Sequence, residues 1–540
     1  MKPWHSLLWG CLLSKAIACS SIAQIIPDGT TDTVIDSRDN ATTVDRGDRA
    51  GNNLFHSFNE FSIPNGSEVL FNNPDGIANI FSRVTGGKIS NIDGLLQVNG
   101  NTSLFLINPA GIIFEEGAAL NIGGSFVAST ADSIVFSDDT EFSATNTNNS
   151  SLLTINQPIG LNFGSNIGDV AVNGSSLEVS NGANLALLGG NINLTAGQIS
   201  APGGRIELGS LIQTEQVKFN NLTTENITTF DSVDFPPGFN RGNITLANGT
   251  NLLTQSEGGG NIGITSSNLE LLDGELGASF IIGGILTGAS SIDAQAGDVV
   301  IDVTESIVLT QGSSILNTVG ESTTGNAGNI VISSNDLVMQ DGGAVSASNF
   351  GIGNAGAITI EATEDIIADG ESSLGFDSGI FSTIEESVLG NAGGINITAR
   401  NLTLTNGGEV SASTSGIGDA GSITISAGNI LATGESSSGF ASGVFNTVSV
   451  TGKGNAGGIE IAADNLSLAD GGQISVASFG EGNGGSLQVR VNSLDLGNDA
   501  SLFASTPTGR GGNINLEIAN NLTLESRSLI SAQAFDDAVG

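Results

Sequence analysis

The chain has 540 residues, 39% of them hydrophobic and only 13% charged, and a net charge of −40. Glycine, at 77 residues, is about twice its usual share of roughly 7%, while the 10 prolines are too few for a disordered Pro/Gly-rich chain. Such an acidic chain repels phosphate backbones, which argues against nucleic-acid binding, and with no tyrosine the exposed aromatic platforms that carbohydrate and single-stranded nucleic-acid sites use are not obvious in the sequence.

Residues 1–23 read as a signal peptide. Lys2 and His5 give a short polar start, and the apolar stretch from Leu7 to Leu13 is too short to span a bilayer. Ser21 and Ala23 put small residues at the −3 and −1 positions, predicting cleavage before Gln24. Ala16-Ile17-Ala18-Cys19 offers lipoprotein processing as an alternative. Both cysteines, Cys11 and Cys19, fall in this segment, as do both tryptophans. The chain beyond it has 13 basic and 55 acidic residues, a charge of −42, and no membrane-spanning candidate. It is expected to be exported without disulfides.

Residues 24–150 alternate apolar and polar side chains in short runs ended by turn signals. Glu68-Val69-Leu70-Phe71 is followed by NNPDG, and Leu104-Phe105-Leu106-Ile107 by NPAG. Proline fixes φ and glycine accepts positive φ, so these are turns. Residues 151–324 continue the pattern, broken at 215–241, where Pro236-Pro237 cannot lie within a ladder; this segment is expected to be a loop between coils.

Residues 325–540 repeat. GNAGNIVISSNDLVMQDGGAVSAS begins at Gly325, GNAGGINITARNLTLTNGGEVSAS at Gly390 and GNAGGIEIAADNLSLADGGQISVAS at Gly454, with a partial copy at Gly509. The glycine-rich turn also returns within each unit, at Gly353, Gly418 and Gly482. Each copy offers three short strands, exemplified by Ile395 and Ile397, Leu402 and Leu404, and Val410 and Ala412, separated by an Asn corner and a Gly-Gly turn. Period-2 alternation places these side chains on one face. One such coil cannot bury that face alone, but stacked coils share a continuous core. The pattern predicts an all-β protein, a right-handed parallel β-helix with an N-terminal β-rich cap. A sandwich array or propeller fits less well, because propeller repeats carry aromatic signatures that are missing here.

Motifs that suggest chemistry are weak. GxGxxG occurs at Gly351, Gly416, Gly452 and Gly480, but a strand follows each and each recurs with the repeat, so these are turns rather than a dinucleotide site. HExxH, GxxxxGK[ST] and GxSxG do not occur. Beyond residue 23 there is one histidine, His56, and no cysteine, which excludes a His/Cys zinc site. His56, between Phe55 and Phe58, is read as packed or surface-exposed rather than catalytic. The pairs Glu115-Glu116, Asp138-Asp139, Glu385-Glu386 and Asp536-Asp537 point to opposite faces of a strand and do not converge by themselves. No catalytic residue, metal or cofactor is assigned.

Four ordered blocks carry a resemblance: IPDGTTDTVI at 26–35, SFNEFSI at 57–63, FNNPDGIANIFSRVTGGKISNIDGLL at 71–96 and LFLINPAGIIFEEGAALNIGGSFVAST at 104–130. They resemble the filamentous haemagglutinin, or haemagglutination-activity, N-terminal domain of two-partner secretion exoproteins, in the form seen in cyanobacterial surface proteins. The resemblance implies a secretion domain at 24–150, recognised by an outer-membrane Omp85-type barrel with periplasmic docking domains. The family's NPNGI motif is matched at Asn108, Pro109, Gly111 and Ile112, with Ala110 in place of its second Asn. Asn73 and Pro74 begin a partial counterpart of its NPNL motif. These six residues are the expected transporter-recognition motif. The implied protein is a secreted, non-enzymatic adhesin or surface element, released or kept at the outer-membrane surface, with a surface glycan or other cell-surface ligand as its partner. The competing reading is a β-helical polysaccharide lyase or hydrolase, for which the scattered basic residues are a poor fit.

Overall fold

The computed structural model describes residues 24–147, 153–223, 228–272, 280–285 and 290–534. The segment 1–23, expected to be a signal peptide, and Asp536-Asp537 lie outside the described residues. Those residues form strands and turns with no α-helix, so no helix is long and apolar enough to cross a membrane.

The strands stack in parallel as a β-helix. One ladder climbs from Asn53–Ser62 through Asn79–Val84, Ser103–Ile107 and Phe126–Ser129. It ends at Ser486–Leu496 and Asn513–Leu524. A third face runs separately from Ser176–Glu178 to Leu529–Ser531. The first two strands expected in each late coil merge into one, as in Ile395–Thr405, because the Asn corner bends the chain without breaking its pairing. Ile395, Ile397, Leu402, Leu404, Val410 and Ala412 all face inward and are buried. Burying each large aliphatic side chain contributes roughly 1.5–3 kcal/mol before chain entropy is subtracted.

The sequence repeat is two coils, not one. Corner Asn and Asp side chains form a ladder: Asn354 N–H donates to Asn326 Oδ1 at 2.9 Å, Asn391 to Asn354 at 2.9 Å, Asp419 to Asn391 at 2.8 Å and Asn455 to Asp419 at 2.7 Å. The steps are 28, 37, 28 and 36 residues. The longer coils carry hairpin excursions at 370–378 and 434–442, each closed by one antiparallel bridge, Glu371 to Asp377 and Glu435 to Ala441. A glycine column follows the same corner. A Cβ on Gly457 would sit 1.6 Å from the Gly421 carbonyl oxygen, so only glycine permits this coil spacing.

The first coils differ. Gln24–Pro27 pairs antiparallel with Asn53–Ser62, and Thr33–Arg38 forms a hairpin with Ala41–Arg46, together closing the end of the stack. A second, antiparallel sheet lies outside the coils, in the order Glu141–Ser143, Ser133–Phe136, Pro158–Phe163, Glu215–Asn220, Ser232–Asp234. The segment 215–241, expected as a loop, therefore leaves the stack but supplies two strands. Pro236-Pro237 follow the last of them, where no ladder N–H is required. Between this sheet and the coils lies a second core rich in phenylalanine, including Phe55, Phe81, Phe105, Phe136, Phe142 and Phe163. Phe81 packs edge-on to Phe136 at 5.0 Å, and Phe55 to Phe142 at 5.1 Å.

Candidate secretion site

Asn108 ends the strand Ser103–Ile107 and is fully buried. Its Nδ2 donates to the Lys88 carbonyl and to Ser90 Oγ, both at 2.9 Å, on the coil below. Its Oδ1 accepts from the Ala110 N–H at 3.1 Å, and its carbonyl accepts from the Gly111 N–H at 3.0 Å, closing a tight turn. Gly111 has φ +127°, a region that favours glycine, and a Cβ there would come within 3.2 Å of the Asp169 carbonyl oxygen. Ala110 contributes its backbone N–H to this turn, a contact that does not depend on the identity of its side chain. Pro109 is half-buried, its carbonyl accepting from Gly168 N–H at 2.9 Å. Ile112 points into the core.

Asn73 plays the same part on a different corner. Its Nδ2 donates to Thr102 Oγ1 at 3.0 Å and to the Asn99 carbonyl at 3.2 Å, and its Oδ1 accepts from the Asn99 N–H at 3.0 Å. Pro74, Asp75 and Gly76 are exposed. The two Asn-Pro turns are not gathered into one patch. Asn108 stands between the first and second faces of its coil, and Asn73 between the third face and the first. In the folded chain both asparagine side chains are spent on neighbouring coils.

The fold uses polar groups that motif spacing does not reveal. Arg83, buried on the outward side of Asn79–Val84, joins three parts of the domain. It donates from Nε to Ser57 Oγ at 2.8 Å, from Nη1 to the Ser143 carbonyl at 2.6 Å and from Nη2 to Thr30 Oγ1 at 2.9 Å. Its guanidinium lies 4.3 Å from the centre of the Phe142 ring. Burial pulls its pKa down, and the nearby Asp28 charge opposes that. Burial pushes Asp28 up, but hydrogen bonds from Ser57, Thr30 and Thr85 outweigh it and hold the carboxyl below its usual value. Asn79 Nδ2 donates to Asn53 Oδ1 at 3.1 Å, while Thr228 Oγ1 donates to Asn79 Oδ1 at 2.5 Å, tying the distant excursion to the first rungs. His56 is buried with Nδ1 3.0 Å from Thr33 Oγ1 and its ring edge-on to Phe71 at 5.3 Å. Burial lowers its pKa to about 3, so it is a neutral core residue.

A profile of the TPS secretion domain matches residues 23–267. The chain carries a two-partner secretion domain. The match runs past residue 150 and takes in the whole antiparallel sheet, whose strands end at Asp234. Over 75 residues the chain is 41% identical to a heme/hemopexin-binding protein of Haemophilus influenzae strain Rd, covering 14% of this chain and 8% of that protein. A second heme/hemopexin-binding protein of Haemophilus influenzae is 40% identical over 72 residues, 13% of this chain and 7% of that one. The matches thus span under a tenth of those relatives' length. The crystal structure of the HMW1 secretion domain from Haemophilus influenzae superposes with a TM-score of 0.52 at 16% identity, covering 82% of this chain and 99% of that one. At that identity the likeness speaks for the β-helical fold alone.

Proposed function

We propose that this chain is the exported partner of a two-partner secretion system. The observation that carries this reading is the match over residues 23–267, which coincides with the capped coils and their clamping antiparallel sheet. The outer-membrane partner is an Omp85-type barrel with periplasmic docking domains, and the chain reaches it unfolded. Asn108, Pro109, Gly111, Ile112, Asn73 and Pro74 act in that step. Because the two asparagines are buried once the coils form, the barrel would read them before folding, and the same side chains would then lock the first coils outside the cell. Each added coil buries a further aliphatic layer, so folding draws the chain outward. The coils beyond residue 267 serve as a non-enzymatic adhesin or surface element, released or retained at the outer membrane. The lyase alternative is not favoured, since the matching family is a secretion domain.

The test is fractionation of cells making the full chain with and without its cognate barrel. The protein should appear outside only when the barrel is present, and a chain lacking residues 24–267 should stay in the periplasm. Export of that truncated chain would overturn the reading.

A further inference from the structure

The third face of the late coils carries an alternating column. Phe381 pairs with Ser411, Ser411 with Phe445, Phe445 with Ser475 and Ser475 with Phe503. The neighbours Ile380, Val444 and Leu502 point inward and are buried, so the three rings point out, each half-exposed. Adjacent strands lie about 4.8 Å apart, which places a ring every ~9.6 Å along the stack. On each ring-bearing rung the residue two before is small: Gly379, Gly443 or Ser501. A Cβ on Gly379 would sit 2.8 Å from Phe381 Cζ, so that ring lies back across its own strand. On the intervening rungs the same position holds Glu409 or Gln473, polar groups between rings.

A row of hydroxyls runs beside the rings. Thr383 Oγ1 donates to Ser348 Oγ at 2.9 Å and Thr447 Oγ1 to Ser413 Oγ at 3.2 Å. The hairpins at 370–378 and 434–442 wall the face. Their tips raise Phe376 and Phe440, 67% and 63% exposed, and Ser437 of one bonds to Glu371 of the other. The floor and walls shape two open clefts of about 870 and 730 Å³, the first lined by Phe381 and the second by Phe445 and Phe503.

The chemistry selects one class of occupant. Ser411 and Ser475 are buried, but Glu409 and Gln473 are partly exposed on the rungs between the rings, so the face is not the continuous apolar patch that a second protein copy would cover. The charged residues lining the clefts are mostly acidic, Asp377, Glu385, Glu409, Glu435 and Asp499 against Arg527, which repels anionic chains. An uncharged sugar chain has flat C–H faces that stack on aromatic rings, with hydroxyls around their rim that exchange hydrogen bonds with Ser, Thr, Gln and Glu. The ring spacing is close to the length of two β-1,4-linked pyranose units. We propose that this face binds an extended, uncharged β-1,4-linked polysaccharide laid along the stack across both clefts, with sugar faces on Phe381, Phe445 and Phe503. This deepens the adhesive part of the proposed function and is independent of the export part.

Calorimetric titration of the purified full chain with cellohexaose, xylohexaose and mannohexaose tests it, with cellobiose and oligogalacturonate as controls. At least one neutral hexaose should bind at least tenfold more tightly than cellobiose or oligogalacturonate. Phe381→Ala/Phe445→Ala/Phe503→Ala should weaken that binding at least tenfold, with unchanged circular dichroism. The corresponding triple Tyr variant, which keeps the rings, should restore it. Absence of binding by all three hexaoses, equal binding by the triple Ala variant, or preference for oligogalacturonate would overturn the proposal. Because no transporter enters this experiment, its outcome is separate from that of the export test.

Discussion

Asn108 and Ser90 stand on adjacent coils, and the Asn108 carboxamide donates to the Ser90 hydroxyl at 2.9 Å while its other N–H reaches the Lys88 carbonyl. Replacing Asn108 by Ala leaves both acceptors buried without their donor, at a cost of about 1–3 kcal/mol. Asn108→Asp, which keeps the shape but loses the N–H groups, should cost at least as much. Urea denaturation of the purified chains measures this. Unchanged stability in both variants would show that the turn does not depend on its side chain.

Arg83→Lys should destabilise the secretion domain by about 3 kcal/mol, because one ammonium cannot serve Ser57, Thr30 and Ser143 together. Asp28→Asn should have a smaller effect, and the double variant less than the sum, since the charges compensate one another. A double-mutant cycle followed by circular dichroism decides this; strict additivity would mean that the two groups do not interact.

His56 makes stability depend on acid. The unfolded imidazole takes up a proton near pH 6.5, whereas burial lowers the folded value to about 3. Its contribution is therefore complete above pH 6.5 and declines as the pH falls toward 3. His56→Gln should lose less stability than the parent between pH 7 and pH 4. Parallel denaturation curves at the two pH values are the measurement, and identical losses would refute a neutral buried His56.

Glu409 works in the opposite sense. Burial, with the nearby Asp377 charge, raises its pKa to about 7 against the opposing Ser411 hydrogen bond. Its contribution is fully present below about pH 4.5 and is lost as the pH rises through 7. Glu409→Gln should match the parent at pH 4 and exceed its denaturation midpoint at pH 8. Equal midpoints at pH 8 would place Glu409 in ordinary solvent.

Gly457→Ala cannot be absorbed by a side-chain shift, since its Cβ would overlap the Gly421 backbone oxygen. In a stack where each coil touches only its neighbours, the damage should remain local. Hydrogen exchange should accelerate near residues 421–457 and be unchanged around Asn108. A uniform increase would show that the coils unfold as one unit.

Much of the coil architecture could be read from the chain because alternation at Ile395, Ile397, Leu402 and Leu404 has a single cause, one buried face. The secretion domain hides its second cause. Leu104 to Ile107 is an unbroken apolar run because Phe105 and Ile107 face the outer sheet while Leu104 and Leu106 face the coil interior. That outer partner arrives from residues as far away as Phe219, 6.2 Å from Phe105, and short-range periodicity carries no trace of it. The Asn-Pro turns were visible as turns, but their separate corners follow only from strand pairing. Arg83 gave no signal, since a lone arginine in a strand ordinarily faces water.

The alternation of Phe381, Ser411, Phe445 and Ser475 also constrains how such a chain can lengthen. Inserting a single coil would set two rings, or two serines, on consecutive rungs and put the pattern out of phase beyond that point. Duplicating a pair of coils preserves it. Growth by pairs keeps the pattern in step however many are added, much as a ruler is extended by whole divisions.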